Sequence, residues 1–122
     1  MEHQLVECVP NFSEGKDKEI IDAITSAMLS VEGVRLLDVD MGEDFNRTVV
    51  TIVGPPKSVV ESALRGTEVA LESIDMATHK GEHARMGAVD VVPFIPVSNI
   101  TMEECVGLAE KYGEEASNRF NL

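Results

Sequence analysis

The sequence predicts an α+β fold, on three observations. Short runs of β-branched residues alternate with apolar stripes at helical spacing, a polar turn separates two adjacent runs, and helix-start signals precede the stripes. At 122 residues the chain is long enough for one core and too short for two. It holds no internal repeat and no linker rich in Gly, Ser or Pro, so residues 1–122 are expected to form a single domain.

Leu5 to Val9 is an apolar run stopped by Pro10 and Asn11, which predicts a first strand feeding the loop NFSEGKD. From Asp17 onward, Ile20, Ile21, Ile24, Ala27, Met28 and Val31 recur with the period of a helix, and Gly33 marks its end. Val34–Val39 and Thr48–Val53 are β-rich runs on either side of DMGEDFNR, whose Gly, Asp and Asn favour a turn between antiparallel strands. After Pro55 and Pro56, Ser58 with Glu61 fits a capping box, and Val60, Ala63, Leu64, Thr67, Leu71 and Ile74 give a second helical stripe.

Asp75–Gly87 has no period and reads as a polar loop, followed by the apolar run Val89–Val97. Pro93 and Pro96 assign that run to a sheet edge, because proline donates nothing to a ladder. Thr101 with Glu104 is another capping box, and Cys105, Leu108, Ala109, Tyr112 and Ala116 continue as a last helix. The order strand, helix, strand, strand, helix, strand, helix is the split βαβ pattern of a ferredoxin-like sandwich with one added helix.

Acidic residues outnumber basic ones 22 to 10, for a formal charge of −12, which argues against nucleic acid and anionic membranes as partners. A small anionic ligand stays compatible, since a few clustered cations make a local positive pocket. Cys8 and Cys105 have no metal-finger or CxxC spacing and read as buried, reduced thiols. No segment has the length of a membrane span and the first residues do not resemble a leader, so a soluble cytoplasmic protein is expected.

The stretch HKGEHARMGAVD, residues 79–90, is the densest in titratable groups and the best candidate site. His83 is the natural general base, because imidazole titrates near neutral pH. Glu82, Asp40 or Asp90 are candidates to orient it. Two other readings stand beside this one: solvated loop histidines, and a metal site using His79, Glu82 and His83, which Gly81 disfavours by breaking a helical HxxxH face. Asp40, Asn46 and Arg47 flank the second turn, either as site residues or as the tip of an ordinary hairpin. Asn11 and Ser13 of NFSEG are as well suited to capping the first helix as to binding. Arg47, Lys80 and Arg85 suffice for the carboxylates of one small ligand, and no phosphate-binding glycine signature is present.

The blocks VECVPNFSEGKDKE, LLDVDMGEDFNRTVVTIVGPP and IDMATHKGEHARMGAVDVVPFIPV together resemble the N-terminal subdomain of glutamate formimidoyltransferases, over nearly the whole chain. The resemblance implies transfer of a formimino group from N-formimino-L-glutamate to tetrahydrofolate as co-substrate, in histidine degradation, with no metal. The family's catalytic histidine lies in GEHPRMG, which here reads GEHARMG, so the role falls to His83. Ala84 replaces the usual proline and loosens the backbone beside it. Asp40 and Asn46 fall in the family's DVD and NRT motifs and are expected to line the same tunnel. Arg47, His79, Lys80, Glu82 and Arg85 complete the expected substrate and folate contacts. Family members continue into a C-terminal subdomain, which implies pairing with such a part or self-association into a homo-oligomer. The alternative is a non-catalytic folate-binding or assembly module that keeps the loop without turnover.

Overall fold

The structure, a computed structural model, describes residues 3–42, 46–74 and 88–121. Its elements are β1 (Leu5–Cys8), β2 (Asn11–Phe12), α1 (Lys18–Leu29), β3 (Arg35–Gly42), β4 (Arg47–Gly54), α2 (Pro56–Ser73), β5 (Phe94–Ser98) and α3 (Met102–Phe120). This is the expected α+β order, with the first strand in two pieces. The break is cosmetic: Val6 faces Gly54, Cys8 faces Ile52, Asn11 faces Val49 and Phe12 faces Thr48, so β1 and β2 hold one unbroken register along β4. Pro10 has no N–H to give, yet its carbonyl still accepts from the Val50 amide at 3.0 Å.

β4 is central. It is antiparallel to β1 and β2 on one side and to β3 on the other, and β5 extends the sheet beyond β1. Strands β1 and β3 therefore run parallel with β4 between them, which is the split βαβ arrangement of a ferredoxin-like sandwich. The edge position inferred for the proline-bearing run is where β5 lies.

Alternate strand residues sort the two faces. Val6, Cys8, Phe12, Val50, Ile52 and Phe94 are buried in one core with Ile21, Ile24 and Met28 of α1 and Val60, Ala63 and Leu64 of α2. The other face holds Glu7, Val9, Asn11, Val49, Thr51 and Val53, half-buried, with Ile95 and Val97 exposed. No described element covers that face.

Several boundaries differ from the sequence reading, for local reasons. Helix α2 does not start at a Ser58 capping box; Pro55 is its N-cap without a side-chain bond and Pro56 its first residue. Proline lacks the N–H that a cap would satisfy and holds φ at the helical value, so the helix begins three residues earlier. Glu61 is thereby released to bind Arg119 and Arg65. Helix α1 ends at Leu29 with Ser30 as C-cap, before Gly33, whose φ of 91° instead turns the chain into β3. The strands around the hairpin are longer than expected, so Asp40 and Arg47 sit in the ladder and not in the turn. Ala109, assigned to the apolar stripe of α3, is exposed. The loop expected at 75–87 lies outside the described residues.

Helix α2 also buries more than one stripe. Val59, Ser62 and Gly66 are covered along with Val60, Ala63, Leu64 and Thr67, because α2 is flanked by α1 and α3. A Cβ on Gly66 would stand 2.7 Å from Met28 Cγ, so the Met28 side chain fills the space over Gly66 and would have to shift for any larger residue there. On the α3 side, Tyr112 donates its hydroxyl proton to Thr67 Oγ1 at 2.5 Å, since the Thr67 hydroxyl proton is already given to Ala63 O.

Candidate functional site

Phe12 is fully buried and fixes the start of the NFSEG loop in the core. Beyond it the loop folds on its own polar groups. Glu14 Oε2 accepts from the Lys16 and Asp17 amides at 3.0 and 2.9 Å, and Asp17 Oδ1 accepts from Glu19 N at 3.0 Å, capping α1. The cap is thus Asp17, not Asn11 or Ser13, because the loop needs Glu14 to Lys16 to turn before the helix can begin. Asn11 Nδ2 instead donates to Val9 O at 3.0 Å.

The same loop docks on the β3–β4 hairpin. The Gly15 amide donates to Asn46 Oδ1 at 2.9 Å, and the buried Thr48 hydroxyl donates to Glu14 O. A Cβ on Gly15 would lie 2.5 Å from Gly42 O and 2.6 Å from Arg47 N, so only glycine permits this approach. Asn46 adopts a φ of 48°, a left-handed conformation that asparagine tolerates better than most residues.

A third segment closes the corner. Ala88 O accepts from Ser13 N at 3.0 Å, Asp90 N donates to Asn11 O at 2.9 Å, and Val91 O accepts from Asn11 N at 2.9 Å. Arg47 Nη2 meets Asp90 Oδ2 at 3.0 Å, with each side chain about half exposed. Asp90 is therefore committed to Arg47, a partner the sequence did not suggest. Asp40 and Asn11 both stand opposite Val49, one on each side of β4, and so share a row across the open face. With strands spaced by about 4.8 Å, their Cα atoms lie roughly 10 Å apart. Asp40, Gly42, Arg47 and Val49 line a depression of about 500 Å³ between them.

The structure thus brings together Asp40, Asn46, Arg47, Asp90 and the NFSEG loop, and it adds Thr48. His79, Lys80, Glu82, His83 and Arg85 lie outside the described residues. The signal for Gly15 was legible in principle as a glycine beside two helix-capping acids, but its partner is 31 residues away. Among the described residues no group of three His, Cys, Asp or Glu is placed to hold a metal ion. A larger groove of about 740 Å³ lies between α2 and α3, floored by Val60, Leu64 and Leu108, and contains none of these motif residues.

Three motifs distant in sequence thus build one polar corner on the open face of an α+β sheet. Comparison with known proteins is specific. Residues 5–122 match the family described as formiminotransferase domain, N-terminal subdomain, and the chain belongs to that family. It is 54% identical over 120 residues to the formimidoyltransferase-cyclodeaminase of Dictyostelium discoideum, covering 98% of this chain and 22% of that protein. To the formimidoyltransferase-cyclodeaminase of Mus musculus it is 56% identical over 119 residues, with coverage of 98% and 22%. The glutamate formimidoyltransferase of Thermoplasma acidophilum is 45% identical over 118 residues, with coverage of 97% and 39%. The chain therefore spans only about a fifth to two fifths of the length of these relatives.

Proposed function

We propose that this chain forms one wall of a site where a formimino group passes from N-formimino-L-glutamate to N5 of tetrahydrofolate, with His83 as the general base. The observation that carries the reading is the meeting of NFSEG, the Asp40–Arg47 hairpin and Ala88–Asp90 in one corner of the open sheet face. His83 precedes Ala88 by five residues in the sequence, within the stretch HKGEHARMGAVD whose last three residues reach this corner. Relatives named glutamate formimidoyltransferase supply the reaction class.

In this reading N5 attacks the formimino carbon and loses its proton to the imidazole of His83. The tetrahedral adduct then collapses, the bond to the glutamate nitrogen breaks, and His83 returns the proton to that nitrogen. One residue serves both steps and ends in its starting state. Asp40 favours the cationic form of the amidine, the electrophile that N5 attacks and the form that returns when the adduct collapses, and Asn46 holds the Gly15 turn against the hairpin that carries it. Arg47, His79, Lys80, Glu82 and Arg85 hold the carboxylates and pterin of the substrates, with Arg47 set in direction by Asp90. A C-terminal subdomain completes the pocket on the open face. The buried free thiols Cys8 and Cys105 suit a reducing, cytoplasmic setting.

The test pairs the chain with its His83→Ala variant, assayed in the presence of the C-terminal part carried by the relatives. Turnover is expected to fall by roughly 100-fold or more while calorimetric binding of tetrahydrofolate persists. Unchanged turnover in the variant would reject the base assignment. Binding without any turnover in the parent would make this a folate-binding module instead.

A further inference from the structure

The groove between α2 and α3 has a floor, walls and charges that the reaction proposed above does not use. Its floor is apolar: Val60 and Leu64 are buried, and Ile100 and Leu108 are half-buried. Its walls are tied to each other, because Arg119 of α3 gives Glu61 of α2 two hydrogen bonds, at 3.1 and 2.9 Å. At about 740 Å³ it falls within the roughly 300–1,000 Å³ of small-molecule sites.

The charges in its lining divide into those already answered and those that are not. Glu61 and Glu115 both bind Arg119, and Glu61 also binds Arg65. Glu104 closes the capping box with Thr101. The remaining charged groups of the lining are Lys57 and Lys111, which form no ion pair among the described residues. On a chain of formal charge −12, two unanswered cations beside one apolar floor reverse the local sign.

We propose that this groove binds a small amphipathic carboxylate, with its apolar body on Val60, Leu64 and Leu108 and its carboxylate drawn to Lys57 and Lys111. The floor supplies affinity by burying apolar surface, and the lysines select the sign of the head group. A cationic amphiphile of equal length gains the floor but is repelled by the lysines. A small polar anion meets the lysines but leaves the floor wet. The Glu61–Arg119 tie holds the walls in place before any ligand arrives, so little ordering is required on binding. The groove lies in the helix layer, away from the open sheet face, and the assignment is independent of the formimino-transfer reading.

Calorimetric titration of the 122-residue chain with dodecanoate, below its micelle concentration, tests the proposal, with dodecyltrimethylammonium as the cation of equal chain length. A single dodecanoate is expected to bind, the cation to bind at least about tenfold more weakly, and K57Q/K111Q to lose about tenfold while K57R/K111R keeps its affinity. Both lysines are exposed, so these variants retain the fold. In methyl NMR spectra the shifts on binding should concentrate at Val60, Leu64, Ile100 and Leu108. Absence of saturable binding overturns the proposal, as does equal binding of the cation or indifference to K57Q/K111Q. Shifts confined to Val53, Ile95 and Val97 of the open sheet face would overturn it as well.

Discussion

The Asn46 side-chain oxygen accepts the Gly15 amide at 2.9 Å and so joins the NFSEG loop to the β3–β4 hairpin across 31 residues of chain. Thr48 repeats the link one step deeper, through its hydroxyl to Glu14 O. These contacts leave no room between Gly15 and the hairpin backbone, which makes the junction rigid and sensitive to a single methyl group.

Gly15→Ala is expected to cost about 1–3 kcal/mol, because the new Cβ meets backbone atoms of Gly42 and Arg47 and not a yielding side chain. Gly107→Ala is the matched contrast. A Cβ there meets nothing within 4 Å and the residue lies inside α3, so stability should rise by about 0.5–1 kcal/mol. Urea unfolding of both variants reads the two signs directly, and equal effects would dismiss the steric account.

Alkaline pH should destabilise the fold through its buried acids. Burial pushes the Cys8 thiol up, and burial likewise raises the Tyr112 hydroxyl. The folded chain keeps protons that the unfolded chain releases, so stability is full below the ordinary cysteine value of about 8.5 and declines as pH rises beyond it. The slope contributed by Cys8 approaches about 1.4 kcal/mol per pH unit, with Tyr112 adding to it above about pH 10. Unfolding free energies between pH 8 and 10 should show a shallower decline in Cys8→Ala; an unchanged slope would remove Cys8 as the cause.

Acid should act at the α2–α3 contact. Hydrogen bonding and charge from Arg119, with help from Arg65, hold the Glu61 carboxyl below its ordinary range. Its contribution is therefore present above the ordinary glutamate value of about 4.3 and is lost as pH falls below it. Glu61 keeps a third of its side-chain surface exposed, so screening limits the effect. Glu61→Gln should cost about 0.5–1 kcal/mol at neutral pH, and less in high salt. Chemical denaturation at two ionic strengths measures both.

Local features are legible in the sequence wherever one backbone segment supplies both partners. Thr101 Oγ1 accepts from Glu104 N, and Glu104 Oε1 from Thr101 N, each at 3.0 Å, as the capping-box pattern implied. The Ser58 box failed because the same pattern was overridden by two prolines that start the helix without a cap. On α2 the single stripe missed Val59, Ser62 and Gly66, since a helix held between two others is buried beyond the arc that faces the sheet. Asp40 and Arg47 were found by residue type and motif, whereas the bond between Arg47 and Asp90 was not, because nothing local connects positions 43 residues apart.

By itself the sequence determined the order of strands and helices, the alternation that buries Val6, Cys8, Val50 and Ile52, and the motifs that mark the family. Periodicity is a property of one segment's backbone geometry, so it is legible without its neighbours. Tertiary structure alone decided that NFSEG, the hairpin and Ala88–Asp90 share a corner, that Asp40 and Asn11 lie in one row, and that one sheet edge is sealed by proline while the other stays open. Those relations follow from strand register, which is fixed only when separate segments pack against a common core.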